Sequence, residues 1–98
     1  MTKINLVYEN DYDDADILLV PKDAAESIDE TVQLFFDWVQ MPEQENRFKV
    51  LLHGRLVTSI GTKEFLWWLN NIYHEGKENA CLIAEHVSAC PDYPFANF

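Results

Sequence analysis

Two stretches of this chain place apolar residues at the spacing of an α-helix, and the segments around them do not. Val32, Phe35, Phe36 and Val39 fall at i, i+3, i+4 and i+7, Leu34, Trp38 and Met41 form a second row beside them, and Pro42 stops the run. Ser27-Ile28-Asp29-Glu30 ahead of it matches a capping box, with Ser27 as N-cap and Glu30 at N3. Phe65, Trp68, Leu69 and Ile72 repeat the helical spacing, with Leu66, Trp67 and Tyr73 widening the apolar side, Thr62 as N-cap and Gly76 as stop signal.

The intervening segments read as strands. Residues 3–8 alternate Ile4, Leu6 and Tyr8 with mostly polar neighbours, and Ile17-Leu18-Leu19-Val20 is a short apolar run halted by Pro21. Residues 47–52 turn Phe48, Val50 and Leu52 inward and are joined through His53-Gly54 to a returning strand over residues 55–59. Residues 80–87 suit a buried strand by length, although Ala80, Ile83, Ala84 and Val87 also fit a helical face; the strand is preferred. Pro91 and Pro94 make residues 91–98 an extended aromatic tail, which either docks on the core or contacts a partner or a second copy of the chain in a weak homodimer. The order β-β-α-β-β-α-β predicts one α+β domain over residues 1–98, with two amphipathic helices on a small, mainly antiparallel sheet of four to five strands.

Charge is distributed unevenly along this frame. Residues 1–46 hold twelve acids against Lys3 and Lys22, a net of −10, whereas acids and cations balance in residues 47–98. With 48% hydrophobic residues the chain is no disordered acidic tail, so the charge decorates a folded object. One use of such asymmetry is electrostatic steering toward a positive partner; the plain alternative is solubility. Seven cations against seventeen acids argue against direct nucleic-acid binding, which needs Lys and Arg at phosphates. The acidity argues against anionic membrane surfaces, and no apolar run is long enough to span a bilayer. The first residues have no apolar run of signal-peptide length, and Cys81 and Cys90 belong to no Cys-x-x-Cys; free thiols in a reducing cytoplasm are the expectation.

Asp11-Tyr12-Asp13-Asp14-Ala15-Asp16 is the densest acidic cluster. As a calcium loop counted from Asp11 it fails, with Asp16 where glycine is required and Lys22 where the final Glu belongs. The remaining readings are a solvated loop and a docking loop whose carboxylates accept Arg or Lys from a partner, Tyr12 serving as anchor. Asp29 and Asp37 add carboxylates from the first helix, and Trp38, beside Asp37, is a candidate exposed anchor, as is Trp67. His53, His74 and His86 show no metal-ligand spacing, and pairing Cys81 or Cys90 with His86 or His53 as a nucleophile has no support from flanking residues. No metal, cofactor or enzymatic activity is expected.

The acid-rich first half (Asp11-Tyr12-Asp13-Asp14, Asp29-Glu30, Asp37-Trp38) together with Trp67-Trp68 on a two-helix α+β frame resembles the small acidic immunity proteins of bacterial polymorphic-toxin and contact-dependent growth inhibition systems. The resemblance lies in the character of the whole chain, without a diagnostic motif. It implies a cytoplasmic inhibitor that covers the active site of a basic nuclease toxin, contacting it through Asp11, Tyr12, Asp13, Asp14, Asp16, Asp29, Asp37 and Trp38. The alternatives are a phage-type DNA mimic that blocks a DNA-binding or anti-phage protein, and a small regulatory domain whose acidity serves solubility.

Overall fold

The computed structural model describes residues 1–44, 47–74 and 79–98. Within them the chain runs β1 (Thr2–Val7), β2 (Ala15–Val20), α1 (Lys22–Glu26), α2 (Ile28–Val39), β3 (Lys49–Leu52), β4 (Arg55–Thr58), α3 (Thr62–Trp68), β5 (Cys81–Val87) and β6 (Phe95–Asn97). The expected α+β architecture is what forms, with helices packed on a mixed four-stranded sheet of order β5-β2-β1-β6. β1 is antiparallel to β2 and parallel to β6, and β2 is antiparallel to β5. Residues 80–87 therefore supply a strand, as preferred from the sequence.

Five details differ from the sequence reading. The run after Pro21 is a short helix, α1, whose Ala24 and Ala25 are buried. It ends where α2 begins, so Ser27 lies between two helices and makes no side-chain cap; instead its carbonyl accepts both the backbone N–H of Thr31 (2.9 Å) and the Thr31 hydroxyl (2.8 Å). Gly61, not Thr62, precedes α3, which frees the Thr62 side chain for the site described below. The tail is a strand: β6 extends the sheet beside β1, and Phe98 reaches back among Phe35, Phe36 and Phe65. Finally, β3 and β4 form a separate hairpin outside the main sheet, and Val50 and Leu52, expected to point inward, are exposed. The stop expected at Gly76 lies outside the described residues.

The main core fills the helical side of the sheet. Ile4 and Leu6 of β1, Leu18 and Val20 of β2, Phe35 of α2 and Phe65, Trp68 and Leu69 at and after α3 form one buried cluster. Alternation along β1 turns Asn5 and Val7 to the opposite side, and both are fully buried there as well. Residues 88–94 explain this. β5 and β6 sit at opposite edges of the sheet, so their connection must cross β2 and β1. The Asn5 side chain holds this strap: its Oδ1 accepts the Cys90 N–H (2.9 Å) and its Nδ2 donates to the carbonyls of Cys90 (2.8 Å) and Tyr93 (3.2 Å). The Asn5 backbone N–H donates to the Pro94 carbonyl (2.8 Å). A buried polar side chain is tolerated because its hydrogen-bonding groups are paired.

Candidate functional site

The β1–β2 connection, the end of β5, the start of α3 and Phe98 meet at one end of the sheet, and four of the acidic residues singled out above lie there. The connection is an ordered loop. Glu9 (φ 52°) and Asn10 (φ 60°) are both left-handed, and the Asp11 N–H donates to the Tyr8 carbonyl (3.0 Å), closing a tight turn of the type I′ kind. Asp11 Oδ1 accepts the Asp13 N–H (3.3 Å), and the Asp11 carbonyl accepts the Asp14 N–H (3.3 Å). The Tyr12 carbonyl accepts the Ala89 N–H from the strap (2.8 Å), and the Tyr12 ring stands edge-on to Phe95 at 5.4 Å. Tyr12 nevertheless remains 49% exposed, with the carboxylates of Glu9, Asp11, Asp13 and Asp14 in solvent around it.

Asp16 has a different role. Its Oδ2 accepts the Thr62 hydroxyl and its Oδ1 accepts the His86 backbone N–H (3.3 Å). Because an ionised carboxylate can only accept, the Thr62 hydroxyl hydrogen is committed to Asp16, and Tyr8 must donate its own hydrogen to Thr62 Oγ1 (2.9 Å) while accepting the Thr62 N–H (2.7 Å). Burial raises the Tyr8 phenol above its ordinary range; the hydrogen bonds with Thr62 oppose this, and the negative charges of Asp16 and Glu64 add to it. The phenol therefore stays protonated, as the circuit requires. Asp16, Thr62 and Tyr8 together bind the start of α3 to the root of the loop, with Asp16 half-buried and both of its carboxylate oxygens engaged internally.

His86 completes the end. β5 is bulged against β2 between the pairs Ala15–Val87 and Ile17–Ala84, and His86 adopts φ 53° within the irregularity. This brings its Nδ1 to 2.7 Å from Asp14 Oδ1. The hydrogen bond to Asp14, and then the carboxylate's charge, raise the imidazole above its ordinary value. Protonation of His86 thus subtracts one negative charge from the loop. Among the described residues the ion pairs of lysine or arginine with carboxylates do not reach this loop; Lys22 pairs with Glu26 at 3.6 Å on α1.

The other predicted site residues lie elsewhere. Asp29 is in the first turn of α2, next to α1 and thus toward the end of the sheet where β2 finishes, opposite the acidic loop. Asp37 is exposed on α2 and accepts Gln33 Nε2 (2.9 Å). Trp38 is not a protruding anchor: its ring packs on Phe48 (6.0 Å) and Trp67 (5.9 Å), and the Arg47 guanidinium lies over both indoles at 5.4 and 5.0 Å. The histidines part company, His53 at the hairpin tip, His74 against Asp23 (3.1 Å) and His86 at the loop. Cys81 is on β5 and Cys90 in the strap, both as free thiols. No helix among the described residues is long and apolar enough to cross a membrane.

Sequence reasoning missed Tyr8, Thr62 and His86. Tyr8 read as a core residue of β1 and Thr62 as a cap, and nothing in the local sequence around residue 86 reveals a bulge that forms only on pairing with β2. Comparison with protein-family models, curated proteins and solved structures finds no match to this chain.

Proposed function

We propose that this protein is an acidic binding protein that inhibits a basic partner by docking its β1–β2 loop into the partner's cationic site, in the manner of the immunity proteins its sequence resembles. One observation carries the reading: the loop is fixed from beneath by the strap, the Phe95 ring and the Tyr8–Thr62–Asp16 circuit, yet it presents Tyr12 amid the exposed carboxylates of Asp11, Asp13 and Asp14. A merely solvated loop needs no such support. A pre-organised one loses little conformational freedom on binding, and its carboxylates can accept charge-assisted hydrogen bonds from lysines and arginines. A nuclease toxin, whose active site is built to hold phosphates, is the partner this chemistry fits. The compact loop suits capture of such a site better than DNA mimicry, which needs carboxylates spread along an elongated face.

The test is binding and inhibition against a panel of basic bacterial nucleases, with D11N/D13N/D14N beside the native chain. A true partner loses affinity as salt rises and loses most of it for the triple variant, because each of the three carboxylates is exposed to contact. Equal binding by the variant, or affinity indifferent to salt, would remove the loop from the mechanism.

A further inference from the structure

The second half of the chain builds a cavity in which the acidic loop has no part. It holds about 410 Å³, within the range of small-molecule sites, and lies between the base of the β3–β4 hairpin and the first turns of α3. Phe48, Val50 and Ser59 line it from the hairpin, and Lys63 and Trp67 from α3. Arg47 lines it from the segment entering β3. Lys49 borders it as well, but the hairpin register sends its side chain to the opposite face, with Leu51 and Leu56. Trp67 is 38% exposed, and Phe48 stands edge-on to it at 6.1 Å.

The charged groups of this lining are mainly cationic, and one of them is pre-positioned. The Arg47 guanidinium lies 5.0 Å from the centre of the Trp67 ring and 5.4 Å from that of Trp38, and its Nε donates to Gln44 Oε1. Its two terminal nitrogens are the donors that remain, the fork that grips carboxylate and phosphate oxygens in pairs. Lys63 sits one turn before Trp67 on α3. Among the described residues no carboxylate forms an ion pair with either cation. Glu64 also lines the cavity, yet its carboxylate is turned toward the other end: its Oε1 lies beside Gly61, and its charge acts on the Tyr8 phenol. The chain offers seventeen acids as partners, and these two cations border a cavity instead.

We propose that this cavity binds a small organic anion, its carboxylate or phosphate held by the Arg47 fork and Lys63 and its flat apolar body laid against Trp67, Phe48 and Val50. An oxyanion engages donors that the protein leaves to solvent, and an apolar body takes exposed indole surface out of water. The site uses no residue of the acidic loop, so it and the proposed inhibitory role stand or fall separately.

Phenylacetate and phenyl phosphate, with benzyl alcohol as the neutral control, are the probes. Titration of each into the native chain, followed by NMR at the indole N–H signals, is expected to give saturable shifts of Trp67 and Trp38 at millimolar concentrations for the anions and none for the alcohol. The tighter of the two anions identifies the oxyanion. R47Q is expected to weaken binding about tenfold or more, through loss of the charged fork. K63Q is expected to weaken it about threefold; Lys63 is exposed on α3, so this variant keeps the test if R47Q disturbs the hairpin base. D11N/D13N/D14N should retain binding. Absence of saturation with both anions, equal binding of benzyl alcohol, or affinity unchanged in both R47Q and K63Q would overturn the proposal. So would a glutamate-rich peptide that shifts the two indoles when neither small anion does, since the occupant would then be an acidic protein segment.

Discussion

Two tight turns in this protein share a backbone geometry and differ in almost everything else. Glu9-Asn10 in the acidic loop and His53-Gly54 at the hairpin tip are both pairs of left-handed residues. The first turn sits over the buried frame: Tyr8 beneath it is bound to Thr62 and set edge-on to Phe98, and the strap passes alongside. The second stands clear of the main sheet on four residue pairs of its own. Accordingly the acidic loop displays charge and hides its apolar support, while the hairpin displays its leucines. Left-handed turn residues thus mark a reversal of the chain and say nothing about what the reversed segment rests on; that is decided by the elements packed beneath it. A two-stranded hairpin in isolation is marginally stable at best, so this one depends on its two junctions with the body, where Phe48 meets Trp38 and Trp67.

The largest effect is expected from removing what fixes the acidic end. Asn5→Leu fits the apolar pattern of β1 but leaves the Cys90 N–H and the Cys90 and Tyr93 carbonyls without their partner beneath the strap. Unpaired buried polar groups cost about 1–3 kcal/mol each, and a total loss of roughly 3 kcal/mol in urea unfolding is expected. A loss under about 1 kcal/mol would mean that water replaces these bonds and that the strap is not what holds the loop. A smaller effect is expected from Tyr8→Phe, which deletes the phenol that accepts the Thr62 N–H and donates to Thr62 Oγ1 while keeping the ring against Phe98. The expected cost is about 1–2 kcal/mol. Gly61→Ala should add to the same weakness, since a Cβ there would lie 3.0 Å from the Tyr8 oxygen.

These residues also mark where the sequence stopped being informative. Helical spacing located α2 and α3 because each buries one side of itself, and Phe35, Phe65 and Trp68 lie in the core as that spacing implies. Charge distribution located the acidic loop, because exposed carboxylates need no tertiary partner to be recognised. The strap and β6 were not legible. β6 is only three residues long, and it owes its existence to a strand some ninety positions earlier. Asn5 looks in sequence like an outward polar residue of a half-exposed strand, and only the crossing of residues 88–94 makes it an interior one. Trp38 misled for a related reason: its position off the main apolar row implied exposure, but Phe48 and Arg47 arrive from a distant part of the chain to cover it. The hairpin was found, yet alternation alone could not tell that it has no sheet to turn inward to.

A pH titration acts on the acidic loop at lower amplitude. The pairing with Asp14 raises the His86 imidazole, so the protonated form is the one the fold favours. A group raised in the folded state contributes its stabilisation fully below its ordinary value, about pH 6.5, and loses it as pH climbs through the higher folded value. Both side chains are exposed, so the effect belongs to the loop's charge more than to global stability. Proton NMR should place the His86 titration above the ordinary imidazole value, and Asp14→Asn should bring it back down. Affinity for a cationic partner should increase as pH rises through this transition, because the loop gains a negative charge. A His86 titration unmoved by Asp14→Asn would show that the pair does not form in solution.

The smallest expected effect on stability comes from the hairpin, where it separates folding from association. Replacing a buried leucine by alanine costs about 2–5 kcal/mol, through lost burial and the cavity left behind. Leu51 has neither contribution in the single chain, being largely in solvent. Leu51→Ala is therefore expected to change stability by no more than about 0.5 kcal/mol, measured at low protein concentration. Leu18→Ala, at a fully buried position of β2, should fall in the range for cores. If Leu51→Ala instead proves as costly as Leu18→Ala at every concentration, its side chain is covered within one molecule, and the contrast between a supported acidic loop and a free-standing apolar hairpin fails at its second half. If the cost appears only as concentration rises, the leucine is being covered by another copy, because stabilisation through association follows mass action whereas burial within one chain does not.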